Sequence, residues 1–207
     1  TEFEPKAVIH FAEQRSAPYS MMGVKQNQDT MQNNTGGTNN VCLAISKVSL
    51  DIHLVHLGTM GVYGYDNKYG EIPEGYLDVL AGNAKIPSKI LYPASPGSIY
   101  HLTKVLDHQI LQFYSKLYGM RVTDLHQGIV WGFQTPETQI HDALVNRIDY
   151  DGIYGTVLNR FICQAAFGYP LTVYGSGGQK RAFIHISDSA ECVKLVVQNP
   201  PDGGKVR

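Results

Sequence analysis

With 207 residues, 43% of them hydrophobic and 17% charged, the chain is long enough to bury one substantial core or two small ones. A formal net charge of −1 without a long basic run gives no electrostatic case for nucleic acid or an anionic membrane as partner. No apolar run approaches the ~20 residues that span a bilayer. Thr1 to Phe11 lack the basic start and apolar centre of a signal peptide. Cys42, Cys163 and Cys192 are few, odd in number and far apart, which suits reduced thiols in a cytosol-like compartment. The composition reads as a soluble globular protein, with a cytoplasmic location expected.

Ala7 to Phe11 (AVIHF) fits a short buried parallel strand, Asn39 to Val48 a helix, and Ile52 to Leu57 the next strand. A polar stretch rich in Gly and Pro from Gly64 to Gly97 reads as a long insertion. A helix around Ile99 to Leu117 and a strand around Arg121 to Val130 follow. This alternation is that of a parallel α/β sheet. Beyond Gly132 it loosens: a polar connection to Tyr154, a helix near Val157 to Phe167, a short strand Leu171 to Tyr174, and a glycine turn at Gly175 to Gly178. Arg181 to Ile186 then reads as a strand and Ser187 to Gln198 as a helix, with Asp188 near its start where a carboxylate suits free backbone amides.

In open parallel sheets, ligands lie beyond the carboxyl ends of the strands. Gly58-Thr59, Phe11 to Arg15 and Gln127 all fall at such ends and are expected to converge on one edge. Tyr100 and Lys104 in YHLTK are four residues apart on one helix face. An ammonium beside a phenol favours the phenolate, so Lys104 is expected to lower the pKa of Tyr100 and let it take a proton from a substrate hydroxyl. That spacing alone also fits a half-buried Tyr beside a solvated Lys. Of the eight histidines, only His53 and His56 are closely paired, and a three-residue offset along a strand sends them to opposite faces, so no metal is expected. No cysteine sits at a helix start or elbow that would activate it as a nucleophile.

Taken in order, HFAEQRSAPYSM (His10 to Met21), LGTMGVYG (Leu57 to Gly64), YHLTK (Tyr100 to Lys104) and TDLHQGIVWG (Thr123 to Gly132) resemble the extended short-chain dehydrogenase/reductase family. Within it, AEQRSAPYSM, LGTMG, YHLTK, NRIDYDGIYGTVLNRF (Asn146 to Phe161) and PLTVYGSGGQKRAFIHISD (Pro170 to Asp188) are similar to the UDP-sulfoquinovose synthases, over essentially the whole chain. The resemblance implies an NAD-dependent enzyme that acts on UDP-glucose and sulfite, the sulfur being free or delivered by a protein, and that works as a homodimer in the cytoplasm or, in a photosynthetic eukaryote, the plastid stroma. It also implies oxidation at C4, loss of water across C5 and C6, sulfite addition and return of hydride to C4.

Carried onto this chain, the resemblance makes Tyr100 the base at O4, Lys104 its partner on the nicotinamide ribose, and Thr59 a second contact to O4. Phe11, Ala12, Asn33, Asn34, Leu57 and Val130 would complete the cofactor's surroundings, with a helix-capping role for Asn33 or Asn34 an open alternative. Arg15 would hold sulfite or the sulfonate, or else be a surface cation. Gln127 and Asn159 would contact the sugar, and Thr172, Tyr174, Gln179 and Arg181 the UDP. His101, titratable near neutrality, is a candidate for proton transfer at C5 or for steering sulfur, with a hydrogen bond to a backbone carbonyl as the alternative.

Three departures from the family pattern stand out. Val62 replaces a Glu found in some members. Met60 and Gly61 stand where related 4,6-dehydratases carry an acidic pair, which leaves the elimination without an assigned acid or base. A strand and G-x-x-G-x-x-G turn for the dinucleotide are expected before Ala7 and are not in the sequence, and the closing part of the sugar-nucleotide region is expected beyond Arg207. The chain therefore reads as the middle of a protein about twice as long, with an exposed apolar sheet edge, weak NAD binding and no turnover if it really starts at Thr1. The expected fold is an incomplete, Rossmann-like doubly wound parallel sheet over residues 1–135, followed by a smaller nucleotide-sugar-binding region over 136–207 whose segment 181–198 returns to the first. Another NAD-dependent nucleotide-sugar epimerase or dehydratase, or a non-catalytic homologue that binds a nucleotide sugar, is the alternative; the intact Thr59, Tyr100 and Lys104 speak against the latter.

Overall fold

The computed structural model describes residues 3–65, 76–91 and 94–207. Strands β1 (Ala7–His10), β2 (His53–Thr59) and β5 (Val122–Gln127) form a parallel sheet in the order β1-β2-β5, the open α/β arrangement expected. His10 pairs with His56, and His56 with Asp124, so the three strand ends come out together. Val206 adds a parallel bridge beside Val122.

Helices α1 (Ala17–Ser20), α2 (Val24–Val48) and α3 (Ile99–Tyr118) pack together, α3 lying on β2 and β5. Ser98 starts α3 by accepting a hydrogen bond from the His101 amide. Of the buried positions of α3, His101, Lys104, Asp107, His108, Leu111, Tyr114 and Ser115 recur at the spacing of one helix face, and Thr103 beside them accepts from Asn34 on α2. Below, Leu111, Tyr114, Met120, Leu54, Val122, Cys42, Ile45, Ile52 and Val206 form the apolar core. Strand alternation puts Gln127 on the sheet face opposite Asp124 and His126. Gln127 accepts a hydrogen bond from Ser189 on α5 (Ile186–Gln198), which packs on β2, so helices cover both faces as a doubly wound sheet requires.

Several elements differ from expectation. Helix α2 begins at Val24, not Asn39, because its buried stripe is polar over the first turns: Thr30, Asn34 and Thr38 precede Cys42 and Ile45 at near-fourfold spacing. Apolar periodicity is therefore missing where the helix is not. The Gly64 to Gly97 insertion contains an antiparallel hairpin, β3 (Tyr76–Ala81) with β4 (Ala84–Leu91), while residues 66–75 and 92–93 of it lie outside the described residues. The Arg121 to Val130 strand splits, β6 (Ile129–Trp131) leaving the main sheet to pair with β7 (Phe183–His185). Leu171 to Tyr174 is not a strand: Gln164, on α4 (Val157–Ala166), binds Thr172 through both its amide N–H and its carbonyl, and the segment stays exposed. All three cysteines are free thiols, and burial, followed by the charge of Asp107, pushes that of Cys42 up to about 12, leaving it inert. No helix among the described residues is long and apolar enough to cross a membrane.

Candidate active site

The carboxyl ends of β1, β2 and β5 bring together the loop Phe11 to Arg15, the Thr59 to Tyr63 turn and Gln127, with the first turns of α3 beside them. Thr59 accepts from the Gly61 amide and so caps the short 3-10 turn Met60–Tyr63. Lys104, 5% exposed, donates to the Leu57 carbonyl at 2.6 Å, two residues before Thr59, and pairs with the Glu13 carboxylate. Tyr100 is one turn above it. The expectation that Lys104 lowers the Tyr100 pKa fails here: burial first, then the negative charge of Glu13, hold the phenol well above its ordinary value. The ammonium is turned to Glu13 and Leu57 instead.

His101 also departs from expectation. Its ring bonds not to a backbone carbonyl but to the Ser98 hydroxyl at Nδ1 (2.9 Å) and the Tyr65 hydroxyl at Nε2 (2.9 Å). Burial pushes its pKa down to about 4, so the imidazole is neutral near pH 7 rather than titrating there. It packs so closely on Gly61 that a side chain at that position would overlap the ring. The space an acidic side chain at position 61 would need is filled by the histidine ring.

An open cleft of about 480 Å³ lies at the end of β1, lined by Phe11, Ala12, Glu13, Gln14, Tyr19, Asp29, Asn33 and Tyr154. Its carboxylates disfavour a diphosphate and suit hydroxyl donors, and its aromatic and amide groups suit a flat heterocycle, so the residues present fit the nicotinamide and ribose end of a dinucleotide. Asn33 lines this cleft. Asn34 does not: it is fully buried, accepts from the Gln14 amide and donates to the Gln14 carbonyl and Thr103 hydroxyl. Neither asparagine caps a helix, both lying within α2, which starts after Gly23. Val130 lies on β6, in register with Ile184.

Of the expected substrate residues, Arg15 is half exposed, donates to the Tyr154 carbonyl at 3.1 Å and pairs with Asp149, which ties the β1 loop to the 147–154 segment. Gln127 is held by Ser189 (2.7 Å), and Asn159 accepts from the Gly132 amide (2.9 Å). Around the glycine turn, Gln179 donates to the Tyr174 carbonyl and Thr172 is bound by Gln164. The Arg181 guanidinium stacks on the Tyr65 ring, 4.3 Å from its centroid. Tyr65 thus bridges His101 and Arg181, and was not anticipated from the sequence.

Below this edge lies a second unanticipated feature. The Asp124 side chain, 1% exposed, accepts from His56 Nδ1, His108 Nδ1 and His126 Nε2, each at 2.8 Å. Burial works against its charge, but the His56 cation and the three hydrogen bonds hold its carboxyl well below the usual carboxylate range. Gly58 is required above it, since a Cβ there would lie 2.6 Å from the Asp124 carboxylate. His53 binds Thr123 on the other face, as the strand offset predicts. His108, Asp124 and His126, and separately Glu13, His56 and Asp107, have the donor types of a metal site. In the first, however, the distances are those of hydrogen bonds with a proton on each nitrogen, and the second has the Lys104 ammonium against Glu13.

A parallel sheet wound by helices on both faces, with Thr59, Tyr100 and Lys104 at its carboxyl edge, defines a Rossmann-like α/β protein. The chain belongs to the NAD dependent epimerase/dehydratase family, whose model matches residues 1–207. It is 49% identical over 205 residues to the chloroplastic UDP-sulfoquinovose synthase of Spinacia oleracea, covering 99% of this chain and 42% of that protein. It is 43% identical to the UDP-sulfoquinovose synthase of Sulfolobus acidocaldarius, covering 99% and 51%. The chain thus spans about half the length of these relatives. Among solved structures, UDP-N-acetylglucosamine 4-epimerase from Methanobrevibacter ruminantium superposes with a TM-score of 0.71 at 22% identity, over 95% of this chain and 53% of that one. UDP-glucuronic acid 4-epimerase from Bacillus cereus, in complex with UDP-glucuronic acid and NAD, gives 0.70 at 22%, over 97% and 52%. These two establish the fold.

Proposed function

We propose that this chain carries the catalytic core of a UDP-sulfoquinovose synthase, which converts UDP-glucose and sulfite to UDP-sulfoquinovose and water. The observation that carries this reading is the convergence of Thr59, Tyr100, Lys104 and Arg15 on one sheet edge in a chain 49% and 43% identical to two such synthases. Phe11, Ala12, Asn33, the Leu57 carbonyl and Lys104 would hold NAD, which when bound would supply a reversible acceptor for the hydride of C4.

The chain's own residues do the rest. Tyr100, with Thr59 beside it, takes the O4 proton as C4 is oxidised and returns it at the end. Because its phenol is held protonated here, turnover requires Lys104 to turn part of its charge from Glu13 towards the phenol. The 4-keto group acidifies C5–H; its proton and the C6 hydroxyl leave as water, sulfite forms the C6–S bond, and C5 regains a proton. Neutral His101, sharing a hydrogen bond with the Tyr65 hydroxyl, is the candidate for handling the C5 proton. Arg15 carries a cation for sulfite if Asp149 releases it, and Arg181 with Gln179 after the glycine turn suits the diphosphate. Residues 1–135 would form the cofactor half and 136–207 the sugar-nucleotide half, with 181–198 packed back on the first.

The full-length protein incubated with UDP-glucose and sulfite should give a sulfonated nucleotide sugar by mass spectrometry. Product from sulfite alone makes a delivering protein unnecessary. If only UDP-galactose or a 4-keto-6-deoxy sugar forms, the reading fails.

A further inference from the structure

The charged groups behind the catalytic edge make an ordered chain once each proton is placed. A carboxylate only accepts, so every imidazole nitrogen facing Asp124 carries a hydrogen. His126 is then protonated at Nε2, and its Nδ1 accepts from the Tyr63 hydroxyl at 2.6 Å. His56 faces Asp124 through Nδ1 (2.8 Å) and Glu13 through Nε2 (3.0 Å), two acceptors, so both its nitrogens bear hydrogen and the ring is an imidazolium. Glu13 uses one oxygen for His56, the Thr38 hydroxyl (3.2 Å) and His10 (3.3 Å), which leaves the other for Lys104. The sequence Asp124, His56, Glu13, Lys104 therefore alternates in sign, with all four side chains at most 5% exposed.

We propose that Asp124, His56 and Glu13 are positioning residues for Lys104, a buried relay that fixes how far its ammonium is withheld from Tyr100. The inference rests on the assignment of Tyr100 and Lys104 to proton transfer. Glu13 draws the ammonium towards β1 and the Leu57 carbonyl and adds negative charge near the phenol; the His56 imidazolium tempers that charge, and Asp124 holds the imidazolium. The other groups around His56 and Lys104 are Asp107 on α3, 3.9 Å from His56 Nε2, His10 at the end of β1, and His108 and His126, which share Asp124.

The two neighbours then push Tyr100 in opposite directions. Glu13→Gln removes an anion near the phenol and frees the ammonium, so the alkaline-rising limb of hydride transfer should move to lower pH by about one unit. His56→Gln removes a cation and should move the same limb to higher pH, while Glu13→Asp should restore the wild-type profile. The measurement is single-turnover reduction of bound nicotinamide by UDP-glucose in the full-length protein, without sulfite, across pH. Limbs that stay put, or that shift the same way in both variants, overturn the proposal, because general damage has no sign.

A second readout needs no turnover. Histidine-selective nitrogen NMR should show His56 with both nitrogens protonated at about pH 7.5, where a free imidazole is neutral; one bare nitrogen there overturns the relay. If wild-type protein does not reduce nicotinamide with UDP-glucose, the functional reading fails on its own, and the NMR result still decides the charge pattern.

Discussion

One helix and one strand pair build both the apolar core and the ionic cluster, and the two differ within two turns. Towards the carboxyl end of α3, Leu111 and Tyr114 meet Leu54, Val122 and Met120, a close-packed contact whose stabilisation follows buried apolar area. Towards its amino end, Lys104, Asp107 and His108 meet His56, Asp124 and His126 on the same sheet face, one strand repeat further on. The first set tolerates any filling of the right volume. The second does not, because each proton and charge must be matched where water cannot compensate. The fold is anchored by one end of this interface, and the other end is left to hold charge beside the cleft.

Breaking the ionic end should cost most. Asp124→Asn strips the counter-charge from a buried imidazolium and faces amide hydrogens to imidazole hydrogens, a loss of about 3–5 kcal/mol in urea unfolding; a loss below about 1 kcal/mol would mean the cluster is not the coupled unit described. Leu111→Ala tests the apolar end, with a loss of about 3 kcal/mol that should be the same at every pH. A pH-dependent loss there would erase the contrast between the ends.

Asp107 sharpens it. Among the described residues neither of its buried oxygens accepts a hydrogen bond, and burial, then the charge of Glu13, push its pKa up to about 7. The unfolded chain releases this proton near pH 4, the folded one only near 7, so the residue's cost to stability grows as pH rises through that window and is full above it. Asp107→Asn mimics the protonated form and should stabilise by about 1–3 kcal/mol at pH 8 while changing nothing below pH 4. His56 runs on the same sign. Burial alone would lower its pKa, but the Asp124 charge and the bonds to Asp124 and Glu13 raise it to about 9, so its contribution is complete below about pH 6.5 and lost as pH rises through 9.

The sheet, α3 and the convergence of Thr59, the Phe11 to Arg15 loop and Gln127 were legible because apolar runs and turn residues mark strand ends without reference to tertiary contacts. The first half of α2 and the Asp124 cluster were not, for one shared reason. A buried stripe made of Thr30, Asn34 and Thr38, or of Lys104, Asp107 and His108, has helical spacing but polar chemistry, and hydrophobic periodicity is blind to it. The signal was nonetheless present: His56 on one strand, Asp124 and His126 on another, and His108 at the fourth position after Lys104. Only the register of β2 with β5 joins them. The pairing of Tyr100 with Lys104 likewise followed from spacing, whereas the turn of the ammonium towards Glu13 depends on a residue 91 positions away.

The bonds that close the relay join residues 43 and 68 positions apart, His56 with Glu13 and with Asp124. The apolar contacts beneath them span the same distance, Leu54 pairing with Val122 68 positions away, so loop closure weighs on both ends alike. What separates the ends is water: apolar side chains gain as soon as they meet, whereas no charge at the ionic end is matched until β1, β2, α3 and β5 have all docked. Local opening at the amino end of α3 can therefore rewet the lysine while the core beneath stays packed.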